Sequence, residues 1–151
     1  FDNAGNVRGV AVQLVVPFGP YAGALIYELG LRSNDEGDLL SFQYYDASED
    51  AVLDIVETYD FVINDVMGSM VVPIFYTIGS GSGGENEPDW TDDPGAYEFV
   101  ATISAAIVQD SDGNNVAEEG DMFAAFDNAG NVRGVAVQLV APFGPYAGQL
   151  L

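Results

Sequence analysis

The acidic stretch 110–121 has the best residue spacing for ion chemistry in this sequence. Its oxygen-bearing side chains fall at positions 1, 3, 5, 9 and 12 of a twelve-residue loop, the spacing with which an EF-hand binds Ca²⁺. These residues are Asp110, Asp112, Asn114, Glu118 and Asp121. However, the glycine stands at position 4 rather than 6, and Asp replaces the bidentate Glu at position 12. We favour a tight turn built on the Asp-Gly and Asn-Asn pairs, and keep Ca²⁺ as the one possible cofactor.

The acidic loop 46–50 (DASED) permits the same two interpretations, and a turn is again favoured. Neighbouring carboxylates such as Glu118 and Glu119 point to opposite faces if they lie on a strand, so they do not form a glycosidase pair. The sequence contains no His, no Cys and no Lys, which removes Ser-His-Asp, Cys-His and Ser-Lys nucleophile systems. We therefore predict that the protein is not an enzyme.

The charge balance limits the partners. The 151 residues carry a formal net charge of −21, with 24 acidic residues against three arginines. Such a chain repels nucleic acid and anionic membrane surfaces, and divalent cations or a salty exterior suit it better. Because 48% of the residues are hydrophobic, the composition is not that of a disordered chain. No apolar run is long enough for a membrane-spanning helix, so no membrane insertion is predicted.

One segment occurs twice in the sequence. Residues 1–23 read FDNAGNVRGVAVQLVVPFGPYAG, and residues 126–148 repeat them 125 positions later with the single change Val16 to Ala141. The similarity loosens but continues to the end, so that 126–151 repeats 1–26. A fixed period with near-identity indicates a tandem array, here with a period of domain size. The chain is therefore expected to be cut in mid-repeat.

The pattern along the chain is that of short strands and turns. Alternating or apolar runs predict strands at 24–32, 39–45, 51–55, 58–63, 71–78 and 97–108, and a further strand, 121–126, runs into a DNAGN turn and the second copy. On the 97–108 strand, alternation predicts one face with Phe99, Ala101, Ile103, Ala105 and Ile107. The predicted class is all-β, an Ig-like antiparallel β-sandwich repeat.

Three parts are predicted along the chain. Residues 1–78 form a β-sandwich block that lacks its first strands, and 97–151 are the opening strands of the next repeat. Between them, 79–96 (GSGSGGENEPDWTDDPGA) has the composition of a flexible linker. Its one large apolar residue, Trp90, is expected to dock on the neighbouring domain.

The motifs around these strands resemble a family. GDMFAAFDNAGNVRGVA at 120–136, with RSNDEGDLLSFQYYDASED at 32–50 and VLDI at 52–55, is similar to a β-sandwich repeat of secreted multi-domain proteins in Bacteroidetes-like bacteria. The resemblance covers most of the period outside the linker. It implies an extracellular or cell-surface location and a filamentous setting, and it implies no active site.

The leading hypothesis is a structural protein, the repeat unit of an extracellular filament or surface stalk. Successive units would assemble head-to-tail by β-strand complementation, with the chain itself as partner. The predicted assembly strands contribute Tyr97, Phe99, Ile103, Ile107, Met122 and Phe123. A fold-back of 97–125 onto 1–78 of the same chain, with 126–151 left as a free arm, is the competing arrangement, and it would rule out exchange of these strands between chains.

A second function class stays open, a secreted adhesion or carbohydrate-binding module, Ca²⁺-dependent or not. The aromatic turns PFGPY at 17–21 and 142–146 would then offer platforms for a glycan. The simpler interpretation, which we prefer, is that each turn covers one end of the sandwich.

Overall fold

The structure is a computed structural model. It describes residues 24–69 and 71–140, with backbone only at 80–85 and at 139–140. The predictions for 1–23 and for the two PFGPY turns lie outside the described residues. Within them the elements are ten strands and no helix, which confirms the all-β class. They are β1 (Leu25–Ser33), β2 (Leu39–Asp46), β3 (Ala51–Ile55), β4 (Tyr59–Asp60), β5 (Val66–Met67), β6 (Ile74–Glu85), β7 (Phe99–Gln109), β8 (Met122–Phe126), β9 (Val132–Val135) and β10 (Val137–Val140).

The strands form one sheet whose two ends nearly meet. Its order is β10-β1-β7-β6-β3-β2-β8-β9, with β4 beside β2 and β5 beside β7. The two outermost strands, β9 and β10, are consecutive in the chain and separated only by Ala136. All the pairings are antiparallel except those of β5 and β6 with β7. The sheet thus comes close to a barrel, because a single stretch of chain supplies both of its ends.

β6 forms the corner on the other side of the barrel. Residues 74–77 pair with β7, and from Ile78 onward the same strand pairs with β3. The glycine-rich residues 79–85, predicted as the flexible start of a linker, are therefore strand, and that part of the prediction is wrong. β3 supplies their backbone partners, and an ideal Cβ at Gly79 would lie only 3.2 Å from the carbonyl oxygen of Asp54. Glycine thus allows the close approach that builds the corner.

The strands of 97–125 pair with the strands of 24–78, as expected, but within one chain. β7 lies between β1 and β6, and β8 lies beside β2. The parallel β6–β7 pair requires a crossover connection, which residues 86–98 provide. This is the fold-back arrangement, but the prediction that 126–151 is a free arm is wrong for its described part, because β9 and β10 pair with β8 and β1. Exchange between chains would require β7 and β8 to pair with another chain, but here both are already paired within their own chain.

Two strand predictions need correction in detail. The predicted inward face of β7 holds as far as Ile103, and then the core residues become Ala106 and Val108 in place of Ala105 and Ile107. A bulge against β1, where Tyr27 and Leu29 face Ala106 and Ile103, inserts the extra residue. The predicted strand 58–63 shrinks to the two residues of β4, next to the fully buried Phe61.

An aromatic cluster fills the centre of the barrel. The Phe123 ring lies 5.7 Å from Tyr27, 5.5 Å from Phe42 and 5.1 Å from Tyr76, centroid to centroid. Tyr27 also meets Tyr44 edge-on at 6.2 Å. Because these rings come from β1, β2, β6 and β8, the cluster holds together strands that are far apart in the sequence.

Replacing Phe123 by Ala should lower the free energy of unfolding by roughly 3–5 kcal/mol, since it removes the ring that contacts three others and leaves a cavity. Urea denaturation would measure the change. Val72→Ala is a suitable control because Val72 is 70% exposed, and a loss within about 0.5 kcal/mol is expected. Equal losses in the two variants would show that Phe123 does not anchor the core.

Candidate assembly site

The second copy of the repeated segment occupies a defined seat in the barrel. We use "seat" for the edges of β1 and β8 that residues 127–140 cover. β9 pairs with β8 through Ala124↔Val135, and β10 pairs with β1 from Leu25↔Val140 to Glu28↔Val137. At the switch between the two edges, Ala136 N–H donates to the carbonyl of Phe123 at 2.8 Å. One segment therefore satisfies two strand edges.

The segment enters the seat through a tight turn built on one carboxylate. Asp127 Oδ1 accepts the backbone N–H groups of Ala129 and Asn131, each at 2.9 Å. Its Oδ2 accepts Asn131 Nδ2 at 2.8 Å. Gly130 has φ +83°, which glycine adopts without strain. The DNAGN sequence therefore folds as the predicted turn, and the side chain of Asp127 holds it closed.

Arg133 locks the segment to the rest of the barrel. Its Nε and Nη2 donate to Asp127 Oδ2 at 3.0 and 2.9 Å, and Nη2 also lies 2.9 Å from Asp38 Oδ2. Nη1 donates to the carbonyl of Arg32 on β1 at 3.2 Å, and the guanidinium lies 4.2 Å above the centroid of the Tyr97 ring. The side chain is only 12% exposed, so these contacts are poorly screened by water. Four parts of the chain thus meet at one guanidinium.

The second carboxylate of this network is itself anchored. Asp38 Oδ2 accepts the hydroxyl of Ser33 at 3.0 Å, and Ser33 is fully buried at the end of β1. The same hydroxyl oxygen accepts the N–H of Asp35 at 3.1 Å. The β1–β2 turn is therefore held in position to receive Arg133.

The electrostatics of Asp127 follow from these contacts. Burial alone would raise its pKa, but the hydrogen bonds from Asn131, Arg133 and Ala129 favour the charged form more strongly and lower the pKa to about 2. The carboxylate is therefore ionised at any pH at which the protein is usually handled, and it stabilises the fold as an anion.

Backbone contact is very close where β9 passes β1. An ideal Cβ at Gly134 would lie 2.0 Å from the carbonyl oxygen of Gly30, a distance no side chain can have. Farther along, Gln138 Nε2 donates to the hydroxyl of Tyr27 at 3.0 Å and to the carbonyl of Glu118 at 2.6 Å. The seat therefore requires Gly at 134, and it makes specific contacts with the side chains of Arg133 and Gln138.

The predicted assembly residues lie around this seat but differ in their roles. Phe123 and Ile103 belong to the core cluster, Phe99 packs against it from β7, and Ile107 is buried outside that cluster. Met122 is half-buried on β8 opposite Tyr45, and Tyr97 supports Arg133. Arg133 and Asp38 were not among the residues predicted from the sequence. The sequence did hold a signal for Arg133. The chain has only three cationic residues, and two of them, Arg8 and Arg133, occupy matching positions of the repeat.

Trp90 docks on the same chain. Its ring meets Phe126 edge-on at 5.4 Å between centroids. Two residues later, Asp92 forms an ion pair with Arg32 at 3.1 Å, although the geometry at Arg32 Nη1 is not that of a hydrogen bond. Glu98 N–H donates to Asn34 Oδ1 at 2.9 Å. Residues 86–98 are therefore fastened along the outside of the barrel.

The candidate Ca²⁺ loop contains a second turn of the DNAGN kind. Asp110 Oδ1 accepts the N–H groups of Asp112 and Asn114, each at 2.9 Å, and Oδ2 accepts Asn114 Nδ2 at 2.8 Å. Gly113 has φ +85°. The hydrogen bonds from Asn114 lower the pKa of Asp110. The Asp-x-x-Gly-Asn spacing, shared by 110–114 and 127–131, was the sequence signal for this turn.

Asp121 lies away from that turn, with other partners. Its Oδ1 accepts the N–H of Ala47 at 2.8 Å, and its Oδ2 accepts the N–H of Glu118 at 2.7 Å and the hydroxyl of Tyr44. Within the described part of the chain, no cluster of three or more His, Cys, Asp or Glu has the arrangement of a metal site.

The loop 46–50 is also a turn closed by its own first residue. Asp46 Oδ1 accepts the N–H and the hydroxyl of Ser48 at 2.9 and 2.8 Å, and the N–H of Glu49 at 3.1 Å. The hydroxyl of Tyr45 donates to Asp50 Oδ1 at 2.8 Å, and this bond raises the pKa of Tyr45 to about 12.

Comparison with known proteins finds no matching family model, no matching curated protein and no matching solved structure. No helix long and apolar enough to cross a membrane occurs among residues 24–69 and 71–140.

Changing Asp127 to Asn together with the matching Asp2 removes this carboxylate from both copies of the segment. The folded pKa of about 2 is below the ordinary 3.8, so the charged form stabilises the fold fully above about pH 4, and this contribution disappears as the pH falls through 2. The double variant should therefore lose roughly 1–3 kcal/mol near pH 7 and progressively less toward pH 2.

Urea unfolding at several pH values would measure this gap, with Asp60→Asn, at an exposed position, as the control. A gap that stays constant between pH 7 and pH 2 would contradict the assigned ionic network.

Asp121→Asn tests the other buried carboxylate. An amide nitrogen would replace one acceptor oxygen among several donors, and we expect a loss of roughly 1–3 kcal/mol. The loss should be the same in excess Ca²⁺ and in excess chelator, as measured by thermal unfolding. A loss seen only with Ca²⁺ present would restore Asp121 as a metal ligand.

Proposed function

We propose that this chain is repeat material of a structural protein, an extracellular filament or surface stalk, and has no catalytic role. One observation carries the proposal. The nearly closed barrel of residues 24–140 uses a single copy of a segment that the sequence contains twice. One barrel has one seat, so the two copies cannot both occupy it. We therefore assign the second seat that they require to a neighbouring unit of the same kind.

The geometry of the repeat supports a linear arrangement. Leu150 matches Leu25, so the chain that leaves β10 reaches the equivalent of β1 after residues 141–149. Successive units would follow one another in the same direction, with the repeated segment as the complementing strand between β8 and β1. A head-to-tail contact of this kind does not close on itself, and repeated it gives a filament.

The charge distribution is consistent with an exposed, extended assembly. Nearly all of the excess acid lies on the surface, since Asp121 and Asp127 are the buried carboxylates among the described residues. Neighbouring units of high negative charge repel one another and keep an array extended, unless salt or divalent cations screen them. The family resemblance supports an extracellular or cell-surface location. The proposed partner is the chain itself, and cations or glycans would be secondary ligands.

Electron microscopy of the native material, followed by denaturing electrophoresis, tests the proposal. Filaments with a regular axial repeat that yield very long chains on the gel would establish a covalent array of barrels. Filaments that dissolve into single short chains would support assembly through the repeated segment of a neighbouring subunit, because the strands of 97–125 are already paired within one chain. Discrete particles with no filaments would contradict the structural role.

A further inference from the structure

We propose that the seat of the repeated segment is a binding site for either copy. Residues 2–15 can replace residues 127–140 there and complete the same barrel. They are connected to β1, whereas residues 127–140 are connected to β8. The juxtaposition of Val140 with Leu25 carries this inference. It does not depend on the filament proposed above.

The two copies offer the seat identical contacts. Residues 1–15 and 126–140 have the same sequence, and the first difference, Val16 against Ala141, falls after the end of β10. Asp2, Asn6 and Arg8 match the three residues that form the turn and the lock. Gly9 matches Gly134, which passes 2.0 Å, measured from an ideal Cβ, from the carbonyl of Gly30. The free energy gained in the seat is therefore the same for both copies.

The connection between the first copy and β1 is long enough for this copy to reach the seat. β10 runs antiparallel to β1 with Val140 opposite Leu25, the pairing that a hairpin produces. Val15, which matches Val140, precedes Leu25 by ten positions in the same chain. The nine residues between them, VPFGPYAGA, contain two prolines and two glycines, which are turn-forming residues. The first copy thus reaches the seat through a short loop to β1, as the second copy reaches it through the DNAGN turn from β8.

The populations of the two closures should be similar. Since the contacts are equal, the balance depends on the chain entropy of the two connections, which varies slowly with loop length. We expect the closures to be populated within roughly a factor of ten of each other. Within residues 1–151, one copy holds the seat and the other is surplus.

Limited digestion with trypsin tests this, because the chain has three arginines, Arg8, Arg32 and Arg133, and no lysine. Arg133 in the seat is 12% exposed and Arg32 is 16% exposed, so both resist cleavage in the closed barrel. Mass spectrometry of the wild-type chain should show two singly cut products, 9–151 and 1–133, in amounts within roughly a factor of ten. The doubly cut product 9–133 should form much more slowly, since the remaining copy then stays in the seat.

Two matched variants make the test decisive. Gly134→Val excludes the second copy, so the cut should move to Arg133, with Arg8 and Arg32 protected. Gly9→Val excludes the first copy, and only Arg8 should be cut. Size-exclusion chromatography should show monomers in each case.

Three results would overturn the inference. The first is cleavage of the wild type at Arg8 alone. The second is exposure of Arg32 in Gly134→Val, which would mean that the barrel opens because no other segment takes the seat. The third is elution of Gly134→Val as dimers, which would mean that the replacement segment comes from another chain.

Discussion

The barrel depends on closing two strand edges that no other described strand covers. Without residues 127–140, β1 and β8 would each have one edge with no neighbouring strand. Unpaired backbone N–H and C=O groups at such an edge are costly when buried and can pair with other chains. One segment satisfies both edges because the chain shifts from β8 to β1 at Ala136. The close passage at Gly134, the bond from Gln138 to Tyr27 and the lock at Arg133 all serve this closure.

The shortage of cations gives each described arginine a large role. Arg133 joins the DNAGN turn, the β1–β2 turn, the end of β1 and the ring of Tyr97, while Arg32 holds Asp92 and with it the connection 86–98. Both are shielded from water, so their ion pairs are screened less than pairs on the surface. Most other carboxylates are left to the surface, and several of them close turns by accepting backbone N–H groups. Several of the carboxylates thus stabilise turns near them in the sequence, whereas the arginines connect parts of the chain that are far apart in it.

The proposed array rests on two features, the nearly closed barrel and the second copy of the segment that closes it. In the proposed array each unit would be complete with one copy of the segment, and that same copy would lead on to the next equivalent of β1. Exchange between copies would let a boundary between units shift without loss of contacts, which distinguishes such a joint from a simple flexible linker.

Much of this protein was determined by the sequence alone, because strand alternation and turn residues are local signals. The all-β class, the extents of β1, β2 and β3, and the DNAGN turn could be predicted from residues close together in the chain. Three features could not. The glycine-rich residues 79–85 are strand because β3 offers them partners, the bulge in β7 depends on its register with β1, and the lock at Arg133 brings together residues 38, 97, 127 and 133. These were decided only by the tertiary structure, because each depends on which distant backbone or charge lies beside the residue.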